Sequence, residues 1–351
     1  MKLKVRLFFF FILIMFLGDS QSLLAQDAQF SQYLNSALYL NPALSPSYQS
    51  FTVTANYRNQ WNSIVAPYAT FQITAIKPLF QQNKYKNKIG ALALSFYNDQ
   101  TADGILKEIG GSLNGAYNLR ITRLNSIFFG VQIGFIQKSL NYDKLTWGNQ
   151  YTAVGFDPTM DPGIGIKNLS TVYPDINVGM VYSYNPERDY GKHGGTFSSR
   201  LGVSFYHANT PNESFYKEVY TSRLPLLIKI HGDIETYTGK NFYITPAVLF
   251  QTQKDIYQLN TGLHLSYHLK QKGKEGLKPN QFNVGVWYRY KDSFIFLAGF
   301  ANYYYSLTFS YDLNTTFFKE YSYGTGAYEI ALRLSAKKGK KNSSNYYYHR
   351  K

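Results

Sequence analysis

Apolar and polar residues alternate along most of the chain from about residue 49 onward. In one segment the apolar residues Phe129, Val131, Ile133 and Phe135 are separated by single glycine or glutamine residues. Because successive side chains of a β-strand point to opposite faces, each such segment would present one apolar face and one small or polar face. Segments of this kind, of about ten residues and bounded by turn-forming clusters, predict β-strands. The pattern predicts fourteen strands, at 49–58, 69–79, 88–98, 108–119, 127–138, 176–185, 197–207, 226–236, 241–252, 257–268, 280–290, 293–300, 303–312 and 327–335.

Such alternation fits either a soluble β-sandwich or a transmembrane barrel whose apolar face meets lipid. Aromatic residues make up 18% of the chain and charged residues only 16%, and many predicted strands end in tyrosine or phenylalanine. Aromatic girdles at the two lipid interfaces are typical of outer-membrane barrels. Beyond the N-terminus no apolar stretch approaches the roughly 18 residues of a transmembrane helix, which excludes a helical membrane protein. The sequence therefore predicts an all-β, antiparallel outer-membrane β-barrel of about 14 strands, with an aromatic-rich sandwich as the alternative.

The N-terminus has the layout of a secretory signal peptide. Basic residues precede an apolar run over 7–17, and small residues follow, including Ala25. This predicts a signal peptide over 1–25, cleaved after Ala25, and location in the cell outer membrane. The rest divides into an N-terminal periplasmic or plug segment (26–48), the β-barrel (49–335) and a basic C-terminal tail (336–351).

An even number of strands returns both chain ends to the periplasm. The longer connections then become extracellular. These are 59–68, 99–107, 139–175, 208–225 and 313–326.

Several predicted inward faces carry charged side chains of both signs. Opposed charges inside a barrel usually pair across it and help to hold a plug, and a conductance filter is the alternative. Residues 26–48, rich in Gln, Asn, Tyr and Pro, fit neither a lipid-facing strand nor a stable helix, so we expect them to enter the barrel mouth. The predicted lumen charges are Arg58, Lys229, Asp233, Glu235, Arg289, Glu329 and Arg333.

The chain contains no motif for catalysis, metal binding or cofactor binding. Cysteine is absent, which removes disulfides and thiolate chemistry. His264 and His268 share one strand face, but four strand residues separate them by about 13 Å, too far for one metal ion. Neither a phosphate-binding glycine loop nor a hydrolase motif appears. We therefore expect no enzyme activity, no cofactor and no metal.

The formal charge is +15, and loss of residues 1–25 takes away three positive charges and one negative charge, leaving +13. An exported protein seldom meets nucleic acid, so no nucleic-acid partner is expected. Basic residues also mark the predicted periplasmic connections, where they would contact anionic lipid headgroups or an acidic periplasmic partner. They include Lys84, Lys86, Lys88, Arg120, Arg123, Lys270, Lys272, Lys274 and Lys278.

Short motifs in series resemble one known family. The predicted mature start, residues 26–33 (QDAQFSQY) followed by 38–43 (LYLNPA), resembles the opening of the PorP/SprF family of outer-membrane proteins, which belongs to the type IX secretion and gliding-motility machinery. Matches continue at residues 57–61, 95–99, 144–148, 174–175, 211–215, 310–314 and 328–330. Ala28 stands where the family commonly has proline.

The resemblance implies a non-enzymatic barrel with one of two roles. SprF-like members are partners of a secreted cargo adhesin and retain it at the cell surface through the C-terminal signal domain of the cargo. PorP-like members associate with periplasmic lipoproteins linked to peptidoglycan. A porin-like channel remains a third alternative.

Most of the matching motifs fall in predicted outward loops, which favours the cargo-binding role. Trp61 and Trp147 would be the anchors, because tryptophan is enriched among interface hot spots. The candidate partner-binding residues are Tyr57, Arg58, Trp61, Asn98, Asp99, Lys144, Trp147, Pro211, Asn212 and Phe215.

Overall fold

The computed structural model describes residues 28–61, 67–80, 88–101, 104–122, 124–141, 145–161, 168–185, 197–217, 221–239, 241–269, 280–315 and 324–336. The predicted signal peptide, most of the basic tail and most of the lysines in the predicted periplasmic connections lie outside these residues. No helix within the described ranges is both long and apolar enough to span a bilayer.

Fourteen antiparallel strands form one closed barrel, which confirms the predicted fold class and strand count. Each strand pairs with its neighbours in the chain, and β1 also pairs with β16 to close the barrel. The barrel strands are β1 (Thr52–Gln60), β2 (Tyr68–Phe80), β3 (Lys88–Thr101), β4 (Leu106–Arg120), β5 (Asn125–Asn141), β8 (Asn168–Tyr184), β9 (Phe197–Tyr206), β10 (Leu227–Gly239), β11 (Phe242–Gln253), β12 (Ile256–His268), β13 (Gln281–Arg289), β14 (Ser293–Ala301), β15 (Tyr305–Asn314) and β16 (Thr325–Ser335). Two further short strands, β6 (Tyr151–Thr152) and β7 (Gly155–Phe156), form a hairpin in the connection between β5 and β8.

The largest departure from the predicted boundaries is at β8. This strand begins at Asn168 and pairs with β5 along its whole length, so residues 168–175, predicted as loop, belong to the wall. Their side chains do alternate in burial, but Thr171 and Asp175 face inward while Ser170 and Pro174 face outward. Polar residues on both faces removed the apolar signal on which the strand prediction depended.

The outward face of the barrel is apolar. On β5 the side chains of Phe129, Val131, Ile133 and Phe135 are 43–62% exposed, whereas that of Gln132 between them is buried. This is the reverse of a soluble protein and matches a barrel whose outside meets lipid. Strands of 9 to 17 residues are long enough to cross a bilayer.

The two ends of the barrel differ. At the terminal end β1 begins and β16 finishes, with Thr52 opposite Ser335. The opposite end, called the loop end, carries the longest connection, residues 142–167, which includes the β6–β7 hairpin. A connection of only two residues, Lys254 and Asp255, also lies at this end, where Lys254 adopts a positive φ of 52°.

The hydrophobic core lies inside the barrel, around residues 28–48. We call these residues the lumen segment. The segment forms a 3-10 turn (Tyr33–Asn35), the short helix α1 (Ala37–Leu40) and a second 3-10 turn (Pro42–Ser47). Its Tyr33 ring packs edge-on against the wall residue Trp287, with ring centroids 5.4 Å apart. The core also includes Leu38, Leu40, Ala43 and Leu44 of the segment and Ile76, Ala91, Phe128, Val181, Leu249 and Ile295 of the wall.

Candidate functional site

The lumen segment runs through the barrel from the loop end to the terminal end. Ser31 contacts Arg289, the last residue of β13, at the loop end. Pro46 and Tyr48 contact Lys88, the first residue of β3, at the terminal end. The segment contains no Asp, Glu, Lys, Arg or His. Every charge that faces it therefore belongs to the wall.

At the loop end the wall carries a buried network of four charged side chains. Arg58 Nη2 lies 2.9 Å from Asp312 Oδ2, and Arg58 Nη1 lies 3.6 Å from Glu329 Oε2. Arg289 Nη2 is 3.4 Å from the same Asp312 oxygen. All four are at most 4% exposed. Arg289 also pairs with Asp292 at 2.8 Å, at the edge of the network, so each of the four buried charges has a partner of opposite sign.

Two residues of the lumen segment bind this network. The backbone N–H groups of Ser31 and Gln32 donate to the Glu329 carboxylate, at 2.7 and 3.3 Å. The Ser31 hydroxyl donates to Asp312 Oδ2 at 2.7 Å and accepts from Arg58 and Arg289. Hydrogen bonds to charged groups are among the stronger ones in proteins, so this cluster fixes the loop-end part of the segment.

In the middle of the barrel the segment turns at Asn41 and Pro42. The Asn41 side chain accepts from the Ala43 N–H at 2.9 Å and so caps the second 3-10 turn, and its amide donates to the backbone carbonyls of Met180 and Val203. The turn rests on two glycines that oppose each other on β5 and β8, Gly130 and Gly179. A Cβ at Gly130 would lie 2.6 Å from the Pro42 carbonyl oxygen, and one at Gly179 would lie 2.9 Å from Asn41 Cγ. Only glycine leaves room for the segment at these positions.

Other inward side chains bind the backbone carbonyls of the segment. Tyr206 donates to the carbonyl of Leu38 at 2.5 Å, and Ser204 to that of Leu40 at 2.9 Å. Lys229 donates to the carbonyl of Tyr39 at 2.7 Å, and its Nζ lies 3.4 Å from the centroid of the Tyr39 ring. A cation over an aromatic face is an attractive contact.

At the terminal end Lys88 holds the last turn of the segment. Its ammonium donates to the carbonyls of Pro46 and Tyr48, at 2.6 and 2.7 Å. Removing these bonds should let this end open without disturbing the loop-end network.

We expect Lys88→Met to increase access to the terminal end of the segment. Even one hydrogen bond from an ammonium contributes about 1.5–3 kcal/mol. Loss of these bonds should therefore make opening of this end at least about tenfold more frequent. The chain has no cysteine, and Ser47→Cys would report opening by its rate of reaction with a maleimide. Arg120→Met, at an exposed arginine near the same end, is the control. Equal rates in the two variants would contradict the role of Lys88.

The predicted lumen charges differ in their surroundings. Arg58, Lys229, Asp233, Arg289 and Glu329 are all buried. Asp233 pairs with Arg200 of the neighbouring strand, at 3.0 Å. Glu235 is exposed towards the terminal end, and Arg333 is half-buried. Arg200 and Asp312 also belong to this set, and the sequence analysis did not name them as lumen charges.

The predicted partner-binding residues occupy several environments around the loop end. Tyr57 points outward, with its ring 6.3 Å from that of Tyr328, whereas Arg58 is buried in the lumen network. Trp61, with a positive φ of 61°, packs edge-on against Tyr68, and its backbone N–H donates to the Gly326 carbonyl. Asn98 and Asp99, predicted partly as loop, belong to β3.

The remaining partner-binding residues lie in two loops. Trp147 is half-buried beside Gln150, whose side chain accepts from the Trp147 backbone N–H at 3.0 Å. Pro211 is buried, and the Asn212 side chain accepts from the N–H groups of Ser214 and Ser222. Phe215 is half-buried, and Lys144 lies outside the described residues.

Ion pairs of Lys138 connect two strands and a loop at the loop end. The sequence did not indicate them. Lys138 of β5 lies 3.3 Å from Glu108 of β4 and 2.8 Å from Glu213 of the 207–226 loop. Glu108 is directly opposite Asp99, whose carboxylate accepts from the Thr70 hydroxyl at 2.5 Å. The regions around Asp99 and Glu213 are therefore held in a fixed relation across β3, β4 and β5.

The β6–β7 hairpin exposes apolar side chains at the loop end. Val154 is fully exposed at its tip, and Tyr151 is 62% exposed. Beyond it, Asp157 accepts from the backbone N–H and the hydroxyl of Thr159, and these bonds lower the pKa of the Asp157 carboxyl. The Asp157 carboxylate therefore stabilises a turn. Over the described ranges no cluster of three His, Cys, Asp or Glu side chains has the geometry for a metal ion.

The lumen segment occupies the interior of the barrel. Beside its Ala28, Gln29 and Tyr39, near the 254–255 connection, a small cavity of about 20 Å³ has room for about one water molecule. A closed barrel with a lipid-facing apolar exterior and an occupied interior defines a plugged outer-membrane barrel.

The sequence identifies the family. The model of the PorP/SprF family, type IX secretion system membrane protein, matches residues 22–334. The chain therefore belongs to this family, as its motifs indicated, and is an outer-membrane protein of the type IX secretion system.

Solved structures show more distant similarity. The toluene transporter TbuX of Ralstonia pickettii has a TM-score of 0.46 at 10% identity, covering 86% of this chain and 93% of its own. The toluene transporter TodX of Pseudomonas putida has a TM-score of 0.47 at 9% identity, covering 86% and 92%. Among curated proteins, none matches the chain.

Proposed function

We propose that this barrel is a non-enzymatic partner of a secreted cargo adhesin and retains it at the cell surface through the C-terminal signal domain of the cargo. Retention would make it an anchoring component in secretion and gliding motility. The observation that carries the proposal is a lumen occupied by the chain's own segment, together with a loop end whose loops are held to the wall by ion pairs and hydrogen bonds. A barrel whose interior is occupied is suited to binding at its surface rather than to conducting solutes.

The loop end offers an ordered surface with exposed apolar side chains, which supports the proposal. Lys138 fixes the 207–226 loop to the wall, and the exposed hairpin tip at Val154 adds apolar surface. Interfaces of this kind depend on a few aromatic anchors in an ordered setting. Trp61 and Trp147 are the tryptophans that lie in the connections at this end, and each is fixed to neighbouring backbone or side-chain groups.

The second candidate function is docking of a periplasmic, peptidoglycan-linked lipoprotein at the terminal end. The exposed Arg120 there favours it, since an acidic partner would pair with basic side chains. Outer-membrane lipid would contact the apolar exterior in either case.

The test of the first candidate is surface retention of cargo in cells that carry Trp61→Ala or Trp147→Ala. Truncating a hot-spot tryptophan costs about 2 kcal/mol or more, so we expect cargo at the surface to fall about thirtyfold. The barrel should stay folded in unheated gels. Tyr117→Ala, an exposed aromatic on β4 near the terminal end, is the matched control.

Normal retention by both tryptophan variants would refute the loop-end site. The second candidate would be supported instead if lipoproteins, and no cargo, co-purified with the barrel and if the Arg120→Ala variant no longer bound them.

A further inference from the structure

The charges of the lumen are divided unequally between wall and segment. The lumen segment has none. Lys88 and Lys229 of the wall bind its carbonyls, whereas three wall arginines pair with wall carboxylates: Arg58 and Arg289 lie against Asp312, Arg58 also lies near Glu329, Arg289 also pairs with Asp292, and Arg200 pairs with Asp233. These contacts join one wall residue to another. The wall would therefore keep these ion pairs if a different neutral segment occupied the lumen.

The wall binds both the backbone and the polar side chains of the segment, with side-chain bonds at Ser31, Gln32, Asn41 and Ser45. Five carbonyl groups of the segment, those of Leu38, Tyr39, Leu40, Pro46 and Tyr48, accept from Tyr206, Lys229, Ser204 and Lys88. Asn114 donates to a sixth carbonyl, that of Pro42, at 3.1 Å. The backbone bonds provide affinity that depends little on side-chain identity, and the bonds to the Ser31, Gln32, Asn41 and Ser45 side chains add sequence selectivity.

The shape of the wall adds one sequence requirement. Gly130 and Gly179 leave space for a turn such as Asn41-Pro42. A charged side chain at Ala43, which is 0% exposed, would be buried without a partner at high cost. The site thus fits an uncharged, proline-containing segment.

The segment is attached to the barrel at one point. It leaves the lumen at Tyr48, passes through the exposed Gln49 and enters β1 at Thr52. Among the described residues no strand pairing joins it to the sheet. It is therefore placed like a tethered peptide ligand.

We propose that the inner wall is a peptide-binding channel, filled here by the chain's own lumen segment and able to take in its place an uncharged, proline-containing segment of a second polypeptide. This property is independent of the proposed loop-end site.

The experiment uses the full chain with a protease site inserted between Gln49 and Ser50. After purification in detergent the site is cut, and a labelled synthetic peptide of residues 28–48 is added. We expect the cut segment to stay bound through gel filtration and to exchange for the labelled peptide, with half-saturation at about 10 µM or below. The uncut protein is the control and should bind at least about tenfold less peptide.

Two further peptides test recognition. A peptide with Ala43→Glu, and one in which Pro42 and Pro46 are both replaced by alanine, should each bind about a hundredfold more weakly than the native peptide. Failure of the native peptide to enter the cut protein, or equal binding of either altered peptide, would overturn the proposal. Trp61→Ala in the cut protein should leave exchange unchanged, so a failure here is distinct from a failure of the loop-end site.

Discussion

Gly130→Val is expected to expel the lumen segment while leaving the barrel intact. The new side chain would extend from the wall into the backbone of Pro42 and Ala43, where its Cβ alone would approach the Pro42 carbonyl oxygen to 2.6 Å. Backbone cannot move aside as a flexible side chain can, and overpacking of this kind costs about 3 kcal/mol. Valine itself suits a β-strand, so strand pairing between β5 and β8 should persist.

Ser36→Cys provides the measurement for Gly130→Val. Ser36 is 2% exposed in the lumen segment, and the exchange of oxygen for sulfur changes little in volume. With Gly130 present we expect slow reaction with a maleimide, and with Gly130→Val a rate about a hundredfold higher, which corresponds to the cost above.

Gly111→Val is the matched control for that experiment. Gly111 lies on β4 with open space where its Cβ would be. The control should leave labelling of Ser36→Cys slow. Slow labelling in Gly130→Val as well would show that the turn does not depend on this glycine.

Arg58→Leu is expected to cause the largest loss of barrel stability. It leaves Asp312 and Glu329, both 0% exposed, with much of their neutralising charge removed. Breaking a buried ion pair from one side costs about 3–5 kcal/mol in the free energy of unfolding. Denaturant unfolding in detergent, followed by the gel shift between folded and unfolded barrel, would measure it.

Two comparisons make the Arg58 result specific. Arg120→Leu, at an exposed arginine, should change the free energy of unfolding by less than about 1 kcal/mol. The triple variant Arg58→Leu, Asp312→Asn, Glu329→Gln removes the uncompensated charges and should recover most of the lost stability. If Arg58→Leu and Arg120→Leu unfold alike, the network does not stabilise the barrel.

The sequence predicted the barrel because its signal is local. Alternation along a segment such as 127–138 depends only on which face each side chain occupies, and it needs no knowledge of partners in space. The prediction was wrong at 168–175, where Thr171 and Ser170 are both polar although they face opposite sides. A strand whose two faces do not differ in hydrophobicity gives no alternating pattern in the sequence.

The contacts inside the lumen depend on residues far apart in the chain. Alternation indicates that Glu329 lies on the inward face, but not that the N–H groups of Ser31 and Gln32, about 300 residues earlier, donate to it. An inward glycine such as Gly130 indicates space, but not what fills it. The bridge from Lys138 to Glu108 and Glu213 also joins a loop to two strands, which no spacing in the sequence reveals. The loop-end binding residues stay a prediction.

The position of Arg58 and Glu329 has a consequence for assembly. They lie directly opposite each other on β1 and β16, the first and last strands, whose pairing completes the sheet. The lumen segment precedes β1 by only three residues, so it reaches this seam together with the first strand. In the closed barrel Glu329 therefore receives Arg58 across the seam and both N–H donors of the segment at one place. Closure of the sheet and burial of the segment complete the same network, so each stabilises the other.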